Sequence, residues 1–177
     1  PTKLDNEFEK LQNRLLKKKK VTSNYHLNNE RILYWFDKKT IKELDFVYSE
    51  IKKIKNENIR KFFLCAFSHN LKNSSRWLMK SIKPTIDKDK SIPSVVKNFL
   101  KHSRSMIKKN SQFYSLLKTE GNLMTSAKVW LRDSTKKFSL KNNEVDLIIT
   151  SPPYVTSYEY ADLHQLSLLW FGNDKTD

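Results

Sequence analysis

The residues best placed to do chemistry are Ser151-Pro152-Pro153-Tyr154, which follow the run Asp146-Leu147-Ile148-Ile149-Thr150. Within four positions they combine a hydroxyl, two conformationally fixed prolines and an aromatic ring. The run before them is β-rich and nearly continuous in apolar character, the pattern of a strand in a parallel sheet covered on both faces. Successive prolines stop a ladder at its carboxyl end and fix φ at both positions. Ligands of open α/β sheets bind outside such strand ends, so the loop falls where a substrate would lie. A Pro-Pro pair is also an ordinary way to end a strand, but the strand before it and the aromatic helix expected after it favour a site. A hydrolase triad of Ser151, Asp162 and His164 is excluded: no nucleophile elbow surrounds Ser151, and residues two apart on a helix point to different faces.

Two short strands and a helix must hold this loop. Ala127-Lys128-Val129-Trp130-Leu131 alternates like a strand and ends at Arg132-Asp133-Ser134, and Val145–Thr150 is the second. A helix is expected over Tyr160–Trp170, with Gly172 just past its end. Before residue 118 the periodicity is helical. Phe8, Leu11 and Leu15 follow a cap at Asp5. Ile41, Leu44, Val47 or Tyr48, Ile51 and Ile54 follow a cap at Asp37, and Ile59, Phe62, Phe63, Ala66 and Phe67 run into the polar stretch Ser68–Ser75. Pro84–Pro93 has loop composition. Pro93 suits the first turn of a long helix whose face carries Val96, Phe99 or Leu100, Ser103, Met106 or Ile107, Asn110, Phe113 and Leu117. The aromatic residues on these faces are expected in the core.

Ser151-Pro152-Pro153-Tyr154 resembles, residue by residue, the catalytic loop of the S-adenosylmethionine-dependent DNA amino-methyltransferases: Asp, Asn or Ser, then Pro-Pro, then an aromatic, after a hydrophobic strand. The continuation from Val155 to Trp170 is similar to one prokaryotic branch. The resemblance implies a partial Rossmann-like α/β methyltransferase core with a large, mainly helical insertion: a basic helical region over 1–120 and part of the core over 121–177. It implies S-adenosyl-L-methionine as cofactor, DNA as partner and a restriction-modification setting. Serine at the first loop position favours cytosine N4 as the target, with adenine N6 the alternative. Asp133 stands where relatives place the strand-end acid that contacts the cofactor's adenine, although Arg132 replaces a common glycine. In this reading the Ser151 hydroxyl and the Pro152 carbonyl accept hydrogens of the target amine and free its lone pair, with Pro153 holding the loop rigid. Tyr154 stacks on the flipped base. No metal is expected.

Composition narrows the alternatives. Two glycines in 177 residues exclude a glycine-rich phosphate loop and argue against an all-β fold. The family's glycine-containing cofactor loop is therefore missing, so the chain is expected to be an interior fragment, inactive alone, whose partner is the remainder of a longer methyltransferase. The single Cys65 excludes an internal disulfide and a Cys-rich zinc site and is expected to be a small buried hydrophobe. The four histidines are read as sharing no metal-ligand spacing, and His164 as a helix-face residue with a structural hydrogen bond. No apolar run approaches a membrane span and no signal peptide is visible, so a cytoplasmic chain is expected. The net charge is +15; residues 145–177 hold five acids against one lysine, so the first 144 residues carry +19. Such a field attracts nucleic acid whatever its sequence. The competing reading is a non-catalytic basic helical module, or lysines that merely solvate helix faces.

Overall fold

The computed structural model describes residues 2–17, 26–121, 127–130, 132–133, 135–137, 140, 143–151 and 160–172. Among them are six helices: α1 (Lys3–Lys17), α2 (Glu30–Trp35), α3 (Lys38–Lys52), α4 (Glu57–Ser74), α5 (Val95–Thr119) and α6 (Tyr160–Phe171). Helix α4 packs against α3, α5 and α6; α1 lies against α3 and α5, and α2 against α6.

Local chemistry explains the boundaries. Asn29, Asp37, Asn56 and Ser94 cap α2 to α5, each side chain accepting from the N–H three residues on. Asp37 is the expected cap. Asp5 is not: the Thr2 hydroxyl accepts from Asp5 N at 3.2 Å while the Asp5 carboxylate accepts from Thr2 N at 2.8 Å, a reciprocal box that starts α1 three residues earlier. Pro93 likewise stands one residue before the Ser94 cap, outside the helix.

The core is aromatic, as the periodicity implies. Phe8 stacks on Phe63 at 6.3 Å, Phe63 meets Phe99 at 6.4 Å, and Trp35 stacks on Trp77 at 5.2 Å. Buried rings of this size are each worth about 1.5–3 kcal/mol. Glu50 is buried on α3, where Arg14 Nε and Lys53 Nζ approach its carboxylate at 3.0 and 2.7 Å. The loop between α4 and α5 closes through an isolated antiparallel bridge, Trp77 to Ile86. Lys90 Nζ fastens it by donating to the carbonyls of Lys72 and Trp77, both at 2.9 Å.

Two expectations need correction. Cys65 is exposed, because the inward positions of α4 are Phe63, Ala66, Phe67, Asn70, Leu71 and Ser74. Helix α5 uses Val95, Phe99 and Ser103 inward, but its face does not continue: from Lys108 onward nearly every residue is exposed, Asn110 and Phe113 included. The starts of α1 and α4 approach this end only across an open cleft, and leave its residues exposed. Ala127–Trp130 and Val145–Thr150 form no ladder among the described residues, and Ile148 and Ile149 are 78% and 87% exposed. A strand apolar on both faces gains its stability from neighbours on each side, and the described residues supply none. Among the described residues no helix is long and apolar enough to cross a membrane.

Candidate functional site

Ser151 is exposed at the end of an exposed segment without regular structure that begins at Glu144. A turn precedes that segment, with Asn143 at φ 65°, a conformation asparagine tolerates better than most residues. Pro152, Pro153 and Tyr154 lie outside the described residues. Asp133 is exposed, and one carboxylate oxygen accepts from Thr135 N at 2.9 Å and Thr135 Oγ1 at 2.7 Å. The Thr135 hydroxyl, and then its backbone N–H, hold this carboxyl below the usual carboxylate range. No hydrogen bond or ion pair joins Asp133 to Ser151 among the described residues.

What fixes the loop's far side is α6, whose first residue, Tyr160, comes nine positions after Ser151. Trp170 is fully buried; its indole stacks on His26 at 4.4 Å and meets Phe36 and Phe67 edge-on at 5.4 and 5.8 Å. His26 Nδ1 pairs with the buried carboxylate of Asp45, and Nε2 lies 3.3 Å from the Trp170 carbonyl. Trp35 Nε1 donates to Gln165 Oε1 at 3.2 Å, and the Ser68 and Ser167 hydroxyls meet at 2.7 Å. Past the helix end, Gly172 N bonds the Leu168 carbonyl at 2.8 Å, and a Cβ at Gly172 would sit 2.4 Å from that oxygen. Only glycine fits this closure. The bundle therefore holds the segment that follows the Ser-Pro-Pro-Tyr loop. Sequence reasoning missed His26 and Asp45, which are 19 residues apart and belong to no motif.

The described residues do not form a cradle for S-adenosylmethionine. Asp133 is its one expected contact, and that carboxylate is turned into its own loop by Thr135. The cleft between α1, α4 and α5 includes neither Asp133 nor Ser151. The remaining histidines add no catalytic group. His164 is exposed on α6, and its side chain makes no hydrogen bond among the described residues. Cys65 and His69 are one turn apart on α4, a spacing the sequence reading overlooked, and His102 of α5 stacks on His69 at 4.2 Å. Burial, then His69 and Lys109, holds His102 below its ordinary value. No group of three or more histidine, cysteine or acidic side chains that could hold a metal occurs among the described residues.

Among curated proteins, the chain is 26% identical over 159 residues to the type II methyltransferase M.MvaI of Kocuria varians, covering 83% of this chain. A match of that extent necessarily takes in most of the helical region, so it does not rest on the Ser151 loop alone. The matched part is about a third of the relative, 35% of its length. No protein-family model matches the chain, and no solved structure matches it. The likeness supports a methyltransferase relationship in general and does not choose a target base.

Proposed function

We propose that this chain carries the substrate-loop portion of an S-adenosylmethionine-dependent DNA amino-methyltransferase, with cytosine N4 favoured over adenine N6, serving restriction-modification. The observation that carries the proposal is the run Asp146–Tyr154, reinforced by the likeness to a type II methyltransferase across most of the chain. An exocyclic amine is a poor nucleophile because its lone pair is delocalised into the ring. Ser151 is exposed where the described segment ends, and its hydroxyl accepts one amine hydrogen. The Pro152 carbonyl accepts the other, and Tyr154 stacks on the base once it leaves the duplex. No step through the cofactor is assigned, because the described residues do not build its pocket.

The test is to express the whole polypeptide encoded by this reading frame, incubate it with S-adenosylmethionine and mixed-sequence duplex, and identify the product by nucleoside mass spectrometry. N4-methylcytosine supports the reading as stated. N6-methyladenine keeps the methyltransferase and overturns the base assignment. No methylated base returns the chain to a basic helical binding module.

A further inference from the structure

Helix α5 differs in charge from the other long helices among the described residues. Its 25 residues include Lys97, Lys101, Arg104, Lys108, Lys109 and Lys118 and no acid. All six cations are exposed, and none forms an ion pair among the described residues. Elsewhere the basic residues are interleaved with acids: Lys10 with Glu7, Arg14 and Lys53 with Glu50, Lys61 with Glu57. A face that merely keeps a lysine-rich protein in solution would show the same interleaving. On α5 the charge is left unneutralised.

Its arrangement is directional. Lys97, Lys101, Arg104 and Lys108 are spaced by four, three and four residues, so they form one stripe along about 16 Å of helix. The stripe runs into a cleft of about 870 Å³ between the start of α1, the start of α4 and α5, whose cationic lining is Lys3, Arg104 and Lys108. Its acid, Asp5, is engaged with Thr2. Asn56, Asn110 and Gln112 add neutral donors, and the apolar Leu4, Ile59 and Ile107 line the rest with Tyr114. Arg104 is already positioned: Nη2 donates to Gln12 Oε1 at 2.9 Å and the guanidinium lies over the Phe8 ring at 5.4 Å. A cation held in place by neutral groups, with no carboxylate partner, costs little further ordering when an anion arrives.

We propose that this stripe and its cleft are the surface on which the chain seats the phosphate backbone of duplex DNA. The occupant follows from the charge and the shape. A duplex presents one negative charge for each ~1.7 Å of axis, and a stripe of about 16 Å runs alongside several of them. The assignment of DNA, as opposed to another polyanion, rests on the methyltransferase reading.

The test measures affinity of the 177-residue chain for a mixed-sequence duplex by fluorescence anisotropy over a salt series. Replacing Lys97, Lys101, Arg104 and Lys108 with Gln should make the log–log salt dependence shallower by roughly 3 to 4, at about 0.9 for each phosphate no longer neutralised. A control removing four exposed lysines from other helices, Lys10, Lys38, Lys39 and Lys61 to Gln, should change it by less than about 1. Lys101→Gln and Lys108→Gln singly, each lowering the slope by about 0.9, serve if the fourfold variant fails to fold. The charge-preserving change of Lys97, Lys101 and Lys108 to Arg should keep the slope. Equal effects of the two fourfold variants, or tighter binding of single strand than of duplex, overturn the proposal. If the slope changes as expected while the whole polypeptide methylates nothing, this surface stands and the methyltransferase reading falls. Methylation with an unchanged slope gives the reverse.

Discussion

The imidazole of His26 stacks on the indole of Trp170 with 4.4 Å between ring centres, and the same ring reaches Asp45 on one side and the Trp170 carbonyl on the other. Through this contact a residue before α2 and a residue near the end of α6 share one buried site, 144 positions apart in the chain. The helix that follows the Ser151 loop is therefore built into the bundle's core.

Trp170→Ala should destabilise the bundle by about 3–5 kcal/mol, the usual cost of emptying a large aromatic site. Asp45→Ala should be strongly destabilising too, since it leaves His26 without its buried partner. Because the two share His26, the double variant should depart from additivity by about 0.5–3 kcal/mol. Chemical denaturation of the four proteins checks this, and simple additivity would contradict it.

Lys90 supplies a pH test. Burial is the main cause that lowers its ammonium from the ordinary 10.5 to about 8; Lys72 adds to the shift and Asp87 opposes it. Between these values the unfolded chain keeps a proton that the folded chain has released, so this group's contribution to stability rises with pH across the window. Thermal melts of wild type and Lys90→Met from about pH 7.5 to 10 should show the difference moving in favour of wild type. A difference that is flat or moves the other way would contradict the assignment.

Cys65 should react with a disulfide reagent in the native protein at a rate comparable to the denatured chain, since its thiol is exposed. Protection that lifts only on denaturation would place it back among the buried residues.

Isolated from any further polypeptide, the 177-residue chain should bind S-adenosylmethionine no tighter than about 1 mM by calorimetry. Its candidate contact, Asp133, is exposed and occupied by Thr135. Holding donor and acceptor at reacting distance can supply roughly 7–11 kcal/mol of a barrier, so methyl transfer should be undetectable as well. Micromolar binding would show that the chain builds a pocket by itself.

The helices were legible where apolar spacing was long and capped. Phe8, Leu11 and Leu15, or Ile41, Leu44 and Ile51, could face only one way, and they are buried. Short α2 was not, because six residues carrying Ile32, Leu33 and Trp35 give no full period. The outer half of α5 misled because Phe113 and Leu117 continue the apolar spacing, while what covers a helix is decided by its neighbours and not by its own residues. The same holds for Cys65, whose type suggested burial but whose position on α4 points outward. Ser151 is singled out by its neighbours in sequence alone, whereas the anchoring of the helix that follows it could not be read there: His26, Asp45 and Trp170 meet only in the folded chain. The strands expected at Ala127–Leu131 and Val145–Thr150 depend on pairing partners, which local residue patterns do not specify.

The central claim is that Ser151 acts on the reacting amine and has no part in seating DNA. It is tested most directly by comparing wild type and Ser151→Ala in the whole encoded polypeptide, measuring methyl-transfer turnover and duplex affinity on the same preparations. Turnover should fall about a hundredfold or more, the scale of losing one aligned hydrogen-bonding group at a reacting centre, while the DNA dissociation constant stays the same. Unchanged turnover, or a loss of turnover matched by an equal loss of DNA affinity, would contradict it.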